Sequence, residues 1–327
     1  MLTPLRIGAV PYVNAWPLTF GLAERADVRL RLAEPSALAP LLCGGEVDVA
    51  LVPAIEYFRL SADSQERARG KKGTGVFCAE HPEGRPGKIL PSPFRPSPPS
   101  PPRFVVLPVA AIGSRGRCGS VRLFGWAEME KVRRVLLDPA SRTSNALARL
   151  LLGRQFGVRA HYVFPGEAGP VVESISHYRA GAVLAQEAPQ ARRERRPDAE
   201  LVIGDRGLVA ERADAEWVLD LGREWDRFVR HPFVFAVWAA RADAPLADAV
   251  RLLAEARDAG LEARDALAER AERERGIPAA QAHQYLVHQV RYAFGRKERQ
   301  GLAVFYRMAS EDGLAPIGGR LELGPEV

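Results

Sequence analysis

Short apolar runs alternate along this chain with stretches whose apolar residues recur at helical spacing. The run VDVALVPA (47–54) has the length and β-branched content of a buried strand, and AELVIGDRGLV (199–209) predicts another strand that turns at Gly204 and Asp205. The pattern predicts a helix over 141–157, mostly helical chain from Leu246 onward, and one more helix in HQYLVHQVRYAF (283–294). Alternation of strands with helices predicts an α/β fold built on parallel sheets.

Two parts of this pattern resemble each other. RIGAVPYVNAWPLTFGL (6–22) and RRVLLDPASRTSNALARLLL (133–152) each predict a strand, a polar loop and a helix. Further along, GEVDVALVPA (45–54) and RPDAELVIGD (196–205) each place an Asp before a buried strand and a turn. Such a duplication predicts two similar α/β lobes. Because ligands bind beyond the carboxyl ends of parallel strands, the polar loops should face each other across a cleft, with Asn14 where a ligand group would lie.

Residues 62–102 differ from the rest of the chain. They hold nine of the 26 prolines and few apolar residues that could form a core. Proline-rich chain of this kind is extended and lacks internal hydrogen bonds. We therefore expect a basic, proline-rich surface insertion that is largely disordered.

Composition narrows the class of protein. The 327 residues are 47% apolar and carry a formal net charge of +6, much of it in the insertion. No basic stripe with interleaved aromatic residues is present, so we expect no nucleic-acid partner. No apolar stretch is long enough to span a bilayer, so no membrane association is expected. The first residues lack the pattern of a secretory signal, and we expect a cytoplasmic protein.

The strongest local chemical signal is DPASRTSNAL (138–147), at the start of a predicted helix. Hydroxyls of Ser141, Thr143 and Ser144 and the cation of Arg142 meet the free N–H groups and partial positive charge of a helix N-terminus. Such a site suits a carboxylate or phosphate. An ordinary N-cap with Arg142 exposed to solvent is the alternative.

Other polar residues fall at the ends of extended segments. Ser114 and Ser120 lie in the glycine-rich IGSRGRCGSVRLF (112–124), where glycine permits close approach of the backbone to a ligand or simply forms a bend. Glu56 and Asp205 each follow a buried strand. Either is a cleft carboxylate or an ordinary residue of a helix start.

Several chemistries lack sequence support. The six histidines form no HExxH pattern, and the three cysteines have no metal-ligand spacing. No P-loop, GxGxxG or GxSxG motif opens a helix. We therefore expect neither a metal nor a cofactor.

Taken together, distinctive blocks of the chain resemble the chorismate dehydratase family, whose members act first in the futalosine route to menaquinone. The resemblance covers nearly the whole chain except residues 62–102. The blocks occur in the family's order: RIGAVPYVNAWPL, EPSALAPLL, GEVDVALVPAIEYFR, AIGSRGRCGSVRLF, VLLDPASRTSNALARLLL, LVIGDRGL, DLGREWDRFVRHPFVFAVWAAR and YLVHQVRYAFG.

This resemblance implies a two-lobed fold like that of type 2 periplasmic binding proteins, with a central ligand cleft. It implies one lobe formed by residues 1–112 and 236–327, which contains the insertion, and a second lobe formed by residues 113–235. The implied reaction removes water from chorismate, a small dianion, to give 3-[(1-carboxyvinyl)oxy]benzoate.

The resemblance also implies roles for individual residues. Asn14 and Ser120 match polar active-site positions of the family and are the expected catalytic residues. Because the motifs contain no histidine to act as a base, we hypothesise that a carboxylate of the substrate takes the proton. The expected substrate-binding residues are Tyr12, Glu56, Ser114, Ser141, Arg142, Thr143, Ser144 and Asp205.

Two other functions stay open at this point. One is the sister enzyme of the same pathway and fold, 1,4-dihydroxy-6-naphthoate synthase, which would carry a histidine in its N-terminal loop region. None precedes His81 here. The other is a non-catalytic solute-binding protein, because a fold does not fix a function.

Overall fold

A computed structural model describes residues 3–68, 103–165 and 196–326. Its strands form two five-stranded sheets, each the centre of a lobe. The first sheet has the order β2-β1-β3-β10-β4 and the second the order β7-β6-β8-β5-β9. The strands of the first sheet are β1 (Leu5–Ala9), β2 (Val28–Leu32), β3 (Val49–Pro53), β4 (Phe104–Ser114) and β10 (Phe233–Arg241). Those of the second are β5 (Val121–Gly125), β6 (Arg134–Leu136), β7 (His161–Val163), β8 (Ala199–Ile203) and β9 (Trp217–Asp220).

The two sheets have the same topology. In the first, β1 pairs in parallel with β2 and β3, and β10 runs antiparallel to β3 and β4. In the second, β6 pairs in parallel with β7 and β8, and β5 runs antiparallel to β8 and β9. The duplicated strands predicted from the sequence, β1 with β6 and β3 with β8, occupy equivalent positions. The predicted duplication is therefore confirmed.

The repeated aspartates explain part of this likeness. Asp48 precedes β3, and its Oδ2 accepts the backbone N–H of Arg6 in β1 at 3.0 Å. Asp198 precedes β8, and its Oδ2 accepts the backbone N–H of Arg134 in β6 at 2.8 Å. Each carboxylate satisfies a backbone donor at the start of the neighbouring strand and so fixes how the two central strands meet.

Helices cover the sheets. Among the described residues, the α-helices are α1 (Pro35–Cys43), α2 (Ala54–Ala68), α3 (Arg142–Arg154), α4 (Gly204–Val209), α5 (Leu221–Val229), α6 (Leu246–Glu262), α7 (Arg264–Arg275), α8 (Ala279–Gln284) and α9 (Arg296–Glu311). Short 3-10 helices span Val13–Leu18 and Met129–Lys131, and a π-turn spans Tyr285–Gln289. Residues of β3 and β8 are buried throughout, as expected for central strands covered on both faces.

Two sequence-based expectations need correction. Helix α2 continues to Ala68, and Ala62 and Asp63 are buried in it, so the first seven residues assigned to the insertion are helical. Residues 69–102 lie outside the described residues. The helix predicted over 283–294 ends with the π-turn, because Arg291 instead forms an antiparallel bridge with Gly113 of β4.

The chain crosses between the lobes at two neighbouring places. It leaves the first sheet after Ser114 at the end of β4 and returns at Phe233, the first residue of β10. These two residues are register partners. Beside the crossing, Trp225 of α5 packs edge-on against Phe233 at 5.2 Å and Phe305 of α9 at 6.0 Å between ring centroids. The second-lobe helix is thereby packed firmly against the first lobe.

Candidate active site

A cavity lies between the lobes, where the loops that follow their central strands meet. Its apolar wall comes from both sheets and includes Leu51, Ile112, Ile203 and Phe235. Its hydroxyl- and amide-bearing side chains are Tyr12, Asn14, Ser120, Ser141, Ser144 and Tyr285. The structure thus brings five of the predicted site residues together and adds Tyr285.

Asn14 is held by the loop that follows β1. The flanking prolines restrict the backbone, and the 3-10 helix Val13–Leu18 begins at once. Trp16 Nε1 donates to the Pro11 carbonyl at 3.3 Å, which closes the loop on itself. The Asn14 Oδ1 atom is buried and has no hydrogen-bond partner within the described residues. An orphaned buried acceptor in a cavity wall is costly unless a ligand satisfies it.

Tyr12, on the same loop, contributes its ring to the wall and anchors its hydroxyl outside. Tyr12 Oη donates to Glu34 Oε2 at 2.6 Å. Burial, together with the neighbouring Glu34 carboxylate, raises the pKa of the Tyr12 hydroxyl. The hydroxyl therefore remains a protonated donor to Glu34, and the ring is fixed beside Asn14.

Ser120 lies in the connection between β4 and β5. Asp220 holds this loop, accepting the backbone N–H of Cys118 at 3.0 Å and that of Gly119 at 2.7 Å. Gly119 has φ +75° and a Cβ there would overlap Gln289 Oε1, so glycine is required. The Ser120 hydroxyl accepts a hydrogen bond from Tyr285 Oη at 2.8 Å.

Helix α3 points its N-terminus at the cavity. Ser141 is its N-cap, and Ser141 Oγ accepts the backbone N–H of Ser144 at 3.2 Å. The two serine hydroxyls lie 3.0 Å apart. The free N–H groups and dipole of this thirteen-residue helix favour a negatively charged ligand group here.

The remaining predicted residues of this cluster contact the opposite lobe and do not line the cavity. Thr143 Oγ1 accepts the buried backbone N–H of Ile55 at 3.2 Å. Arg142 Nη1 donates to Glu56 Oε1 at 3.4 Å. Asp205 Oδ1 accepts the backbone N–H of Val13 at 3.0 Å. We call these three contacts the interlobe clasps.

Of the two clasp carboxylates, Glu56 is buried and Asp205 is partly buried, with 18% of its side chain exposed. The Glu56 side chain is 2% exposed. Burial raises the pKa of Glu56, and the nearby Arg59 and Arg142 guanidinium groups offset only part of that effect. Burial likewise raises the pKa of Asp205, against the Val13 N–H and Arg275. Ionisation of both groups therefore opposes their burial between the lobes.

Ser114 also lies outside the cavity wall. Its side chain is buried, and its Oγ packs where a Cβ on Gly222 of α5 would lie. This position at the end of β4 makes it part of the crossing between the lobes.

Tyr285 is the site residue that sequence reasoning missed. The predicted helix over 283–294 gave no reason to single out one tyrosine among its apolar residues. The family-like block YLVHQVRYAFG contains it, but only the π-turn places its hydroxyl beside Ser120.

The wall of the cavity is electrically neutral. Among the described residues that line it, none is Asp, Glu, His, Lys or Arg. The parts of the chain that the structure describes hold no cluster of three or more His, Cys, Asp or Glu side chains suited to a metal ion. In the same ranges, no helix has both the length and the apolar character to cross a bilayer. The arrangement offers a ligand neutral hydrogen-bonding groups and a helix N-terminus.

The sequence is similar to a known protein family and to a characterised member of it. A family profile described as menaquinone biosynthesis matches residues 5–65, 97–184 and 173–311. The chain is 33% identical, over 305 residues, to the chorismate dehydratase of Thermus thermophilus, covering 93% of this chain and 94% of that protein.

Solved structures show the fold. A protein from Archaeoglobus fulgidus superimposes with a TM-score of 0.63 at 16% identity, covering 95% of this chain and 98% of that one. The alkanesulfonate-binding protein from Xanthomonas axonopodis superimposes with a TM-score of 0.56 at 13% identity, covering 97% and 96%. The predicted two-lobed type 2 periplasmic-binding-protein-like fold is confirmed.

Proposed function

The chain belongs to the menaquinone biosynthesis family, and we propose that it dehydrates chorismate to 3-[(1-carboxyvinyl)oxy]benzoate. The observation that carries this proposal is the meeting of Asn14, Ser120 and the start of α3 in one cavity. They come from the first lobe, the interlobe connection and the second lobe. A ligand that satisfies all three has polar groups at opposite sides of an apolar ring, as chorismate does.

The reaction converts one substrate into an aromatic product and water. The C–H bond at the ring carbon bearing the ether oxygen breaks, and its electrons enter the ring. The neighbouring carbon loses its hydroxyl group, which leaves as water after gaining one proton. One proton is lost and one is taken up, so no redox partner or cofactor is needed for balance.

The neutral wall bears on the identity of the base. No carboxylate, imidazole or amine side chain lies among the described residues of the wall. We propose that the substrate's own side-chain carboxylate takes the ring proton. Asn14 and Ser120 hold the substrate in a reactive pose while it does so. Turnover of an analogue that lacks this carboxylate should fall steeply. Undiminished turnover would rule out the substrate as base.

We assign the other residues by their contacts. The start of α3, with Ser141 and Ser144, receives a carboxylate of the substrate, and the Tyr12 ring packs against its apolar face. The interlobe clasps, formed by Thr143, Asp205 and the Arg142–Glu56 pair, affect substrate binding because they hold the lobes closed around the substrate.

The test uses the purified full chain alone. Incubation with chorismate, without added metal or nucleotide, should give a product lighter by one water in mass spectrometry, and a protein-free incubation is the control. Chorismate that binds without losing water would instead support a solute-binding protein. Failure to bind chorismate, with turnover of cyclic dehypoxanthine futalosine, would support the sister enzyme.

A further inference from the structure

The Ser120 main chain is fixed from several sides. Asp220 holds the two residues before it. On α4, a Cβ at Gly207 would overlap the Ser120 carbonyl oxygen, so the helix backbone packs directly on this residue. The Ser120 N–H donates to the Cys118 carbonyl at 2.9 Å. Because the backbone is fixed, the Ser120 side chain can still change only by rotation about its own bonds, including rotation of the hydroxyl proton.

Tyr285 fixes that remaining freedom. Tyr285 Oη donates to Ser120 Oγ at 2.8 Å in a buried pair. A phenol is a stronger acid than an aliphatic alcohol, which makes tyrosine the natural donor of such a pair. A serine oxygen that accepts from tyrosine still carries its own proton. Since Ser120 lines the cavity, that proton is available to a ligand.

The tyrosine is itself held in place. Tyr285 is 2% exposed and is the first residue of the π-turn Tyr285–Gln289. Burial raises the pKa of Tyr285, against the hydrogen-bonding contacts from Ser120 and Asn14, so the hydroxyl stays protonated. The Asn14 Oδ1 atom, on the same cavity wall, has no hydrogen-bond partner among the described residues and stays available to the ligand. The cavity wall therefore offers a hydrogen-bond donor at Ser120 and an acceptor at Asn14.

We propose that Tyr285 is a positioning residue: by donating to Ser120 Oγ it directs the Ser120 proton into the cavity, as a hydrogen-bond donor to the departing oxygen of the substrate. This inference rests on the proposed function. It predicts an effect on the transition state more than on substrate binding, because the departing oxygen gains negative charge only as its bond breaks.

The experiment compares four proteins: wild type, Y285F, S120A and S120A/Y285F. Y285F removes one oxygen and keeps the ring. We expect its kcat to fall about 10- to 100-fold while KM changes by less than about threefold. If Tyr285 acts through Ser120, the double variant should have the same kcat as S120A within about twofold.

The matched control is Y292F. Tyr292 is buried like Tyr285, but its hydroxyl has no hydrogen-bond partner within the described residues and does not line the cavity. Its loss should leave kcat unchanged and should not lower the melting temperature, because no hydrogen bond is lost.

The outcomes separate the two proposals. Wild-type protein that does not dehydrate chorismate overturns the proposed function and this inference with it. Active wild type with an unaffected Y285F overturns the positioning role alone. So does a Y285F defect that multiplies with that of S120A, because an independent structural effect would do that. A defect confined to Y285F, absent in Y292F and masked by S120A, supports the role.

Discussion

The two lobes have one topology but present different chemistry to the cavity. After β1 the first lobe has a short 3-10 helix, and side chains of its loop, Tyr12 and Asn14, reach the ligand space. After the equivalent strand β6 the second lobe has the long helix α3, and the start of this helix, with Ser141 and Ser144, reaches the ligand space. A repeated scaffold fixes where the loops meet, and each loop then determines which ligand group it receives.

The clasps repeat in the same pseudosymmetric way. The helix after β3 donates the Ile55 N–H to the start of α3, and the helix after β8 accepts, through Asp205, from the start of the 3-10 helix. Donor and acceptor are exchanged between the lobes, but the elements in contact are equivalent. The comparison predicts that the groups that bind the ligand differ between the two lobes, whereas the clasps that close the lobes are equivalent.

The largest effect should come from Asn14. N14A removes the orphaned acceptor, and we expect kcat to fall about 100-fold or more while the melting temperature stays near that of wild type. The matched variant in the second lobe is N145A. Asn145 Nδ2 donates to the buried Asp138 carbonyl at 2.8 Å and does not line the cavity.

N145A should therefore lose about 1–3 kcal/mol of stability and keep kcat within about threefold. Steady-state kinetics and thermal melting measure both quantities. Equal losses of activity in the two variants would break the distinction between a ligand-facing amide and a structural one.

The clasps should have an intermediate and matched effect. T143V leaves the Ile55 N–H unpaired, and D205A does the same to the Val13 N–H. Each should raise KM about tenfold with little change in kcat, since neither side chain lines the cavity. D205N keeps an acceptor oxygen and should be closer to wild type. A clear effect in one clasp and none in the other would refute their equivalence.

The smallest effect concerns pH. Because burial raises the pKa of Glu56 above its ordinary 4.5, the folded protein binds this proton more tightly than the unfolded chain. The contribution of Glu56 to stability is therefore fully present below pH 4.5 and is lost as pH rises through the raised pKa.

E56Q cannot ionise and should avoid that loss. At neutral pH we expect it to melt about 2 °C above wild type, with the difference disappearing below pH 4.5 in thermal melts across pH. A lower melting temperature of E56Q at neutral pH would mean that the ion pairs with Arg142 and Arg59 outweigh the cost of burial.

Much of the scaffold follows from local patterning. The buried runs 47–54 and 199–205 contain the strands β3 and β8, and the second strand ends where α4 begins at Gly204. The polar cap before 142–154 starts a helix, and the repeated Asp residues mark equivalent strands. These features depend on side-chain periodicity and caps, which neighbouring residues determine.

Other features depend on partners far away in the sequence. Arg142 has the local signature of an anion-binding residue, but Glu56, 86 positions away, attracts its guanidinium. The apolar spacing of 283–294 fits a helix, yet pairing with β4 draws Arg291 into extended chain. Tyr285 gains its partner only because the connection 115–120 returns to it across 165 positions.

The neighbouring crossings between the lobes restrict how they move. Because Ser114 and Phe233 lie side by side in adjacent strands, we expect the lobes to move relative to each other by rotation about an axis near that pair. The opening angle then acts as a single mechanical coordinate, and the clasps form at one value of it. We expect a ligand too short to reach from Asn14 to Ser141 at that angle to leave the clasps unformed. The protein would then distinguish ligands of different length by the opening angle at which each ligand holds the lobes, with the crossing between the lobes as the hinge.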